Sequence, residues 1–184
     1  MNIFMWVFYI MNLKKLCIFQ LFSAIFAMFL GTILHFTYQW SGNNTLVGFF
    51  SAVNESTWEH LKLAFFPMLI SCIVGYFIFN DKFPSFLCSK ILGIFVSMSF
   101  IIVFFYTYTG IIGTNYASAN ILSFFIAILL GEYVTYKLTL NNIPCNKHIC
   151  IIILIILVTL FILFTFNPPK INLFKDPRNN SYVI

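Results

Sequence analysis

Five apolar stretches, residues 16–36, 61–79, 86–106, 120–138 and 149–166, alternate with short polar segments along this chain. The last of them carries no charged residue, and each approaches the ~20 residues that cross a bilayer. Hydrocarbon offers backbone amides no partner, so each stretch must close its own hydrogen bonds as a helix. The pattern predicts an all-α fold: a polytopic membrane helix bundle of about five transmembrane helices, with residues 1–184 forming a single integral membrane domain. Pro67 falls inside the second stretch, where it is expected to kink the helix and free a carbonyl one turn earlier. No internal repeat or low-complexity linker divides the chain.

Residues 1–10 read as an optional extension, because Met11, followed by Lys14 and Lys15, resembles a second start. Residues 14–36 have the basic front and apolar middle of a signal peptide. The apolar part is too long, however, and has no small-x-small cleavage site, which makes it a retained first span. Residues 167–184 form a polar C-terminal tail. Lysine placement sets the orientation. With the N-terminus inside, Lys14, Lys15, Lys82, Lys90, Lys137 and Lys147 are cytoplasmic, leaving Lys62, Lys170, Lys175 and Arg178 outside. The expectation is a multi-pass protein of the cell membrane, N-terminus in and C-terminus out. Polar segments 35–44, 53–62, 106–115 and 167–184 then share the outer side.

Composition agrees. Hydrophobic residues make up 61% of the chain and charged residues 8%, against roughly 25% charged in soluble domains. So few charges cannot coat a globular surface, and membrane lipid is the expected partner. The net charge of +5 is scattered between apolar runs, so no basic stripe supports nucleic-acid binding. Five cysteines, odd in number and without framework spacing, read as small core residues rather than disulfides. Cys145, His148 and Cys150 lie close in sequence, but no fourth metal ligand is nearby. The phosphate-cradling glycine loop, the G-x-S-x-G elbow and the H-E-x-x-H pair are all absent.

The densest polar segment is Asn54-Glu55-Ser56-Thr57-Trp58-Glu59-His60-Leu61-Lys62. On a continuous helix Glu55, Glu59 and Lys62 share a face and His60 points away from Glu55. A Glu55/Glu59 pair completed by His35, from the end of the first span, is therefore the easier metal set. Carboxylates with histidine suit zinc, iron or manganese, or act together as general acid and base. The structural reading competes: Ser56 and Glu59 match a capping box, Lys62 pairs with Glu59 or Glu55, and Trp58 anchors at the interface. Tyr106 and Tyr108 close the third span, either assisting a substrate oxygen or satisfying carbonyls at a helix end. Glu132 lies within the fourth span, where an ionisable group is costly, and pairing with Lys137 or snorkelling to the nearby inner boundary is its expected relief.

Several of these segments together resemble a group of small multi-pass membrane proteins, mostly bacterial, typed by an N-E-S-x-W-E-H-x-K segment. The matching parts are Leu34-His35-Phe36-x-Tyr38-x-Trp40-Ser41-Gly42, Val53-Asn54-Glu55-Ser56-x-Trp58-Glu59-His60-Leu61-Lys62, Tyr106-x-Tyr108-x-Gly110 and a tail segment, Pro168-Pro169 through Asp176-Pro177. The tail departs at its end, where Val183 stands in place of a glycine. The group has no assigned activity, so the resemblance carries over no catalytic residue. It does imply that the outer-side segments belong together.

Two functions follow as expectations. One is a membrane enzyme, metal-dependent or acid/base, acting on a lipid or envelope precursor through His35, Glu55 and Glu59, with His60, Tyr106 and Tyr108 assisting. The other is a non-enzymatic solute-binding or transport component, or a scaffold subunit of a membrane complex. So short a chain leaves little room for alternating access unless it forms a homo-oligomer.

Overall fold

The computed structural model describes residues 3–182, with side chains from Ile10 onward. The described residues are all-helical, without a strand. The helices are α1 (Ile3–Trp40), the single turn α2 (Thr45–Gly48), α3 (Thr57–Phe79), α4 (Phe86–Ile112), α5 (Ala117–Leu140) and α6 (Lys147–Phe166), followed by a 3-10 turn at Asn172–Phe174. Five of these are long and apolar enough to cross a membrane, α1 through its Ile10–Trp40 portion. At 1.5 Å per residue, the 23 residues of α3 run about 34 Å, enough for the ~30 Å hydrocarbon core. Residues 3–10 continue α1.

The core between the helices combines large apolar side chains, such as Trp58, Phe65, Met68 and Phe161, with small and polar ones, while many other large apolar residues stay outside. On α1, Leu16, Gln20, Ala24, Ala27 and Gly31 recur every three or four residues and are buried, while Phe22, Phe29 and Ile25 are exposed. On α6, Ile152, Ile155, Ile156 and Leu163 face outward. This is the inverse of a soluble surface and suits lipid.

Close helix approaches rest on glycine. A Cβ on Gly93 would stand 2.4 Å from the Gly131 carbonyl oxygen, and one on Gly131 would stand 2.6 Å from that of Gly93, so α4 and α5 meet backbone to backbone. A Cβ on Gly31 would stand 2.4 Å from the Leu63 carbonyl oxygen. That carbonyl would normally accept from the residue at position 67, but Pro67 has no N–H. The helix continues through Pro67, and the freed carbonyl lies against the Gly31 backbone of α1.

Two lysine–glutamate pairs are buried; that of Lys90 revises the sequence reading, and that of Lys62 with Glu59 is one of the two pairings it offered. Lys90 is fully buried rather than set at the inner boundary. Its Nζ lies 2.5 and 2.6 Å from the two Glu132 carboxylate oxygens and donates to Ser23 Oγ at 2.9 Å, joining α4, α5 and α1. Glu132 thus pairs with Lys90, not Lys137, which instead sits over the Tyr133 ring. Lys62 is equally buried and pairs with Glu59 at 2.5 Å. A lysine count along the chain cannot distinguish such ions from those in loops.

The cysteines also differ from expectation, since Cys88 and Cys145 form a disulfide across 57 residues of sequence. Nothing local signals it; the antiparallel return of α5 to the start of α4 brings the two residues together.

Candidate functional site

The site is built where α1 ends and α3 begins. Glu55 is not helical. It lies in the bend before the N-cap Ser56, whose hydroxyl accepts from the Glu59 amide at 3.4 Å. Asn54 Oδ1 holds the Ser56 amide at 3.0 Å, so only half of a capping box forms. Because Glu55 precedes the helix, it does not follow the helical face rule, and its carboxylate turns back toward His60. His60 Nε2 lies 3.5 Å from Glu55 Oε2, and His35 Nε2, from α1, lies 3.8 Å from Glu55 Oε1. The two imidazoles stack with ring centres 5.4 Å apart. One donor atom from each of His35, Glu55 and His60 falls within 4.8 Å of the others.

Several contacts set this register. The Gly31–Leu63 approach lies about one turn from His35 and His60, and it sets how near the two rings come. Ser51 Oγ donates to the Leu34 carbonyl and accepts from the Tyr38 amide at 3.0 Å, clamping the end of α1 to the loop that leads into α3. His60 Nδ1 lies 3.0 Å from the Ser56 carbonyl oxygen. A carbonyl only accepts, so Nδ1 carries the proton and donates. Nε2 is then the nitrogen turned to Glu55, which is how a metal-binding histidine is usually held, its second nitrogen tied to a carbonyl.

The tail completes the rim. The buried carboxylate of Asp176 accepts from the Glu55 amide at 3.1 Å and from the Arg178 amide at 2.8 Å. The Arg178 guanidinium reaches Glu55 Oε1 at 3.1 Å while its side chain stays 70% exposed. Phe174 packs on Trp58, with ring centres 4.8 Å apart. Asp176 and Arg178 were not singled out as site residues from the sequence; the tail's share in the resemblance was the available signal.

His35, Glu55, His60 and Arg178 line one part of a cavity of about 500 Å³ whose remaining wall includes Ile101, Phe105, Ile121, Phe124 and Phe125. The cavity is therefore amphipathic: ionisable groups gather in one region, and the rest of the wall is largely apolar with Asn115, Asn120 and Ser123 among it.

The other sequence candidates lie apart from this cluster. Glu59 is 2% exposed and turned away, accepting from the Val53 amide at 3.0 Å and pairing with Lys62. Lys62 Nζ also donates to the Gly48 carbonyl at 2.8 Å and to Thr165 Oγ1 at 2.9 Å, so the pair ties α3 to α2 and α6. Tyr106 reaches Thr57, a residue of the cavity wall. Tyr108 is buried with its hydroxyl 2.8 and 2.6 Å from the side-chain oxygens of Asn115 and Asn120, knotting α4 to the start of α5. Trp58 is a core residue against Phe161 and Phe174 rather than an interfacial anchor.

These features define an all-α protein of five candidate membrane-spanning helices, with an amphipathic cavity where the ends of α1 and α4 meet the starts of α3 and α5. The chain belongs to a family of unknown function, DUF6512, whose model matches residues 5–184. No curated protein and no solved structure matches the chain.

Proposed function

We propose that this protein is a multi-pass enzyme of the cell membrane, N-terminus inside, that uses a divalent transition metal held by His35, Glu55 and His60 to act on the polar end of a lipid or lipid-linked envelope precursor. One observation carries this reading: two histidine nitrogens and a carboxylate converge in a cavity whose wall is otherwise largely apolar. Two ligands about 2.1 Å from one zinc ion at a tetrahedral angle sit about 3.4 Å apart. His60 lies 3.5 Å from Glu55 Oε2 and His35 3.8 Å from Glu55 Oε1, and one donor from each of the three residues falls within 4.8 Å of the others, so the set needs to contract around the ion. Two histidines and one carboxylate leave a coordination position open, as catalytic zinc sites do. Bound there, the metal would supply an activated water and polarise a carbonyl or phosphoryl oxygen.

The chain's own residues would do the rest. The Ser56 carbonyl orients the His60 ring. The aromatic and aliphatic wall takes the acyl or isoprenoid chain, whose burial is favourable at about 25 cal/mol per Å². Arg178, exposed and already beside a carboxylate, is suited to exchange that partner for an anionic head group. Lys14, Lys15, Lys82, Lys137 and Lys147 remain at one end of the bundle, which supports the inside N-terminus.

Purified full-length protein with the Cys88–Cys145 disulfide intact, loaded with zinc, manganese or iron(II) and desalted, should retain stoichiometric metal that is lost in His35→Ala and Glu55→Ala and kept in Tyr108→Phe. Absence of retained metal in a folded wild-type protein would overturn the metal reading. A non-enzymatic binding component is the second reading, favoured by the tail's Pro177 and Arg178 lying over the cavity. Turnover of labelled phospholipids or phosphorylated isoprenoids in nanodiscs, dependent on metal and on Glu55, separates the two. Tight binding without turnover would establish the second.

A further inference from the structure

At the opposite end of the bundle, four of the five cysteines gather. Cys88 lies in the first turn of α4, Cys145 in the loop before α6, and Cys150 in the first turn of α6. The sulfur atoms of these three fall within 4.8 Å of one another. Besides its bond to Cys145, Cys88 Sγ lies 2.8 Å from Cys150 Sγ. Cys72 of α3 packs in the same buried cluster. Cys88 and Cys150 are themselves buried, walled by Leu87 and Ile91. Three sulfurs, two from buried residues and one from the partly exposed Cys145, are therefore held together away from the His35 cavity.

We propose that the reduced form of this cluster is a three-thiolate site for a thiophilic d10 cation, Zn²⁺ or Cu⁺, and that the Cys88–Cys145 disulfide is its oxidised, metal-free state. The chemistry of the donors supports this. Thiolate is the ligand such cations prefer over nitrogen or oxygen. Cys88 and Cys150 lie in the first turns of α4 and α6, so two of the three sulfurs are positioned by helix starts that pack together. Zinc–sulfur bonds of about 2.3 Å place tetrahedral ligands about 3.8 Å apart, a spacing within the span these sulfurs already occupy. His148, close in sequence, is exposed and stands outside the sulfur group.

The two states interconvert with balanced chemistry. A low-molecular-weight disulfide accepts two electrons from the Cys88 and Cys145 thiolates. The sulfur–sulfur bond of the oxidant breaks, the Cys88–Cys145 bond forms, and two small thiolates leave with the released cation; these thiolates and that of Cys150 take protons from water. A small dithiol reverses the sequence. Oxidation removes two of the three ligands at once, so binding is gated by redox state and not merely weakened.

The test uses the full-length Glu55→Ala protein in detergent, so that the histidine site does not contribute. After reduction with a phosphine and anaerobic desalting, Co²⁺ should give sulfur-to-metal charge-transfer absorption, which Zn²⁺ and Cu⁺ each displace in separate titrations. Bound Zn²⁺ should withdraw three thiols from alkylation. Cys88→Ser should abolish the band and Cys17→Ser should leave it intact. Reoxidation with a small disulfide should release the metal and restore the Cys88–Cys145 crosslink, read by mass spectrometry of the digested protein. Circular dichroism and gel filtration establish that Cys88→Ser is folded; if it is not, Cys145→Ser supplies the same comparison. Reduced, folded protein whose thiols alkylate freely in the presence of both metals, or a charge-transfer band that survives Cys88→Ser, would overturn the proposal.

Discussion

Replacing Lys90 with methionine tests how the bundle tolerates charge in its interior. The methionine keeps most of the aliphatic stem but removes the ammonium, leaving Glu132 with Ser23 as its remaining side-chain donor. Two charge-assisted hydrogen bonds at about 1.5–3 kcal/mol each give a loss of about 3–6 kcal/mol. That agrees with the about 3–5 kcal/mol expected when one partner of a buried ion pair is removed. Solvent screening gives no discount, because Lys90 is fully buried and Glu132 is 3% exposed. Replacing both partners, as Lys90→Met with Glu132→Leu, removes the stranded charge, and such apolar substitutions are often neutral or stabilising. The double variant should therefore be more stable than the single one by several kcal/mol. Reversible unfolding in mixed micelles, followed by tryptophan fluorescence and circular dichroism, measures all four corners of the cycle. A Lys90→Met loss below about 1 kcal/mol, or a double variant no more stable than the single, would refute the reasoning, since a buried pair must behave otherwise.

Three further outcomes are expected. Gly31→Ala places a methyl group against the Leu63 carbonyl oxygen and the Phe124 ring; overpacking of this kind costs about 1–3 kcal/mol, and retained metal should fall with it as His35 moves away from His60, read by thermal melting and metal analysis of the same sample. Trp58→Ala removes the ring that Phe161, Phe164 and Phe174 pack against, with a loss of about 3–5 kcal/mol and earlier proteolysis of the tail. Arg178→Ala breaks a pair whose cationic member is mostly exposed, so stability should change by less than about 1 kcal/mol. Binding of a long-chain alkyl phosphate, measured by displacement of a fluorescent lipid, should nevertheless weaken clearly.

The fold was largely legible in the sequence because a bilayer imposes a one-dimensional rule. A helix that crosses hydrocarbon needs a continuous apolar run of fixed length, and such a run can be counted without knowing its neighbours. The ends of α3 and α6 at Phe79 and Phe166 fall where the apolar runs stop. His35 and Glu55 were also legible, as uncommon residues at the ends of such runs. What tertiary structure decided was which polar groups meet. Glu59 and His60 are adjacent in sequence, yet one locks α3 to α6 and the other faces α1. Their roles depend on whether the helix begins before or after Glu55, a difference of one residue at the N-cap. Lys90 looked like a boundary charge until helix packing supplied it with Glu132. The Cys88–Cys145 bond and the Arg178–Glu55 contact join residues far apart in sequence. Hydrophobic runs are a property of each segment alone, whereas a site is a property of distances between segments. Those distances follow from close approaches such as Gly31 on Leu63, which no periodicity along the chain encodes.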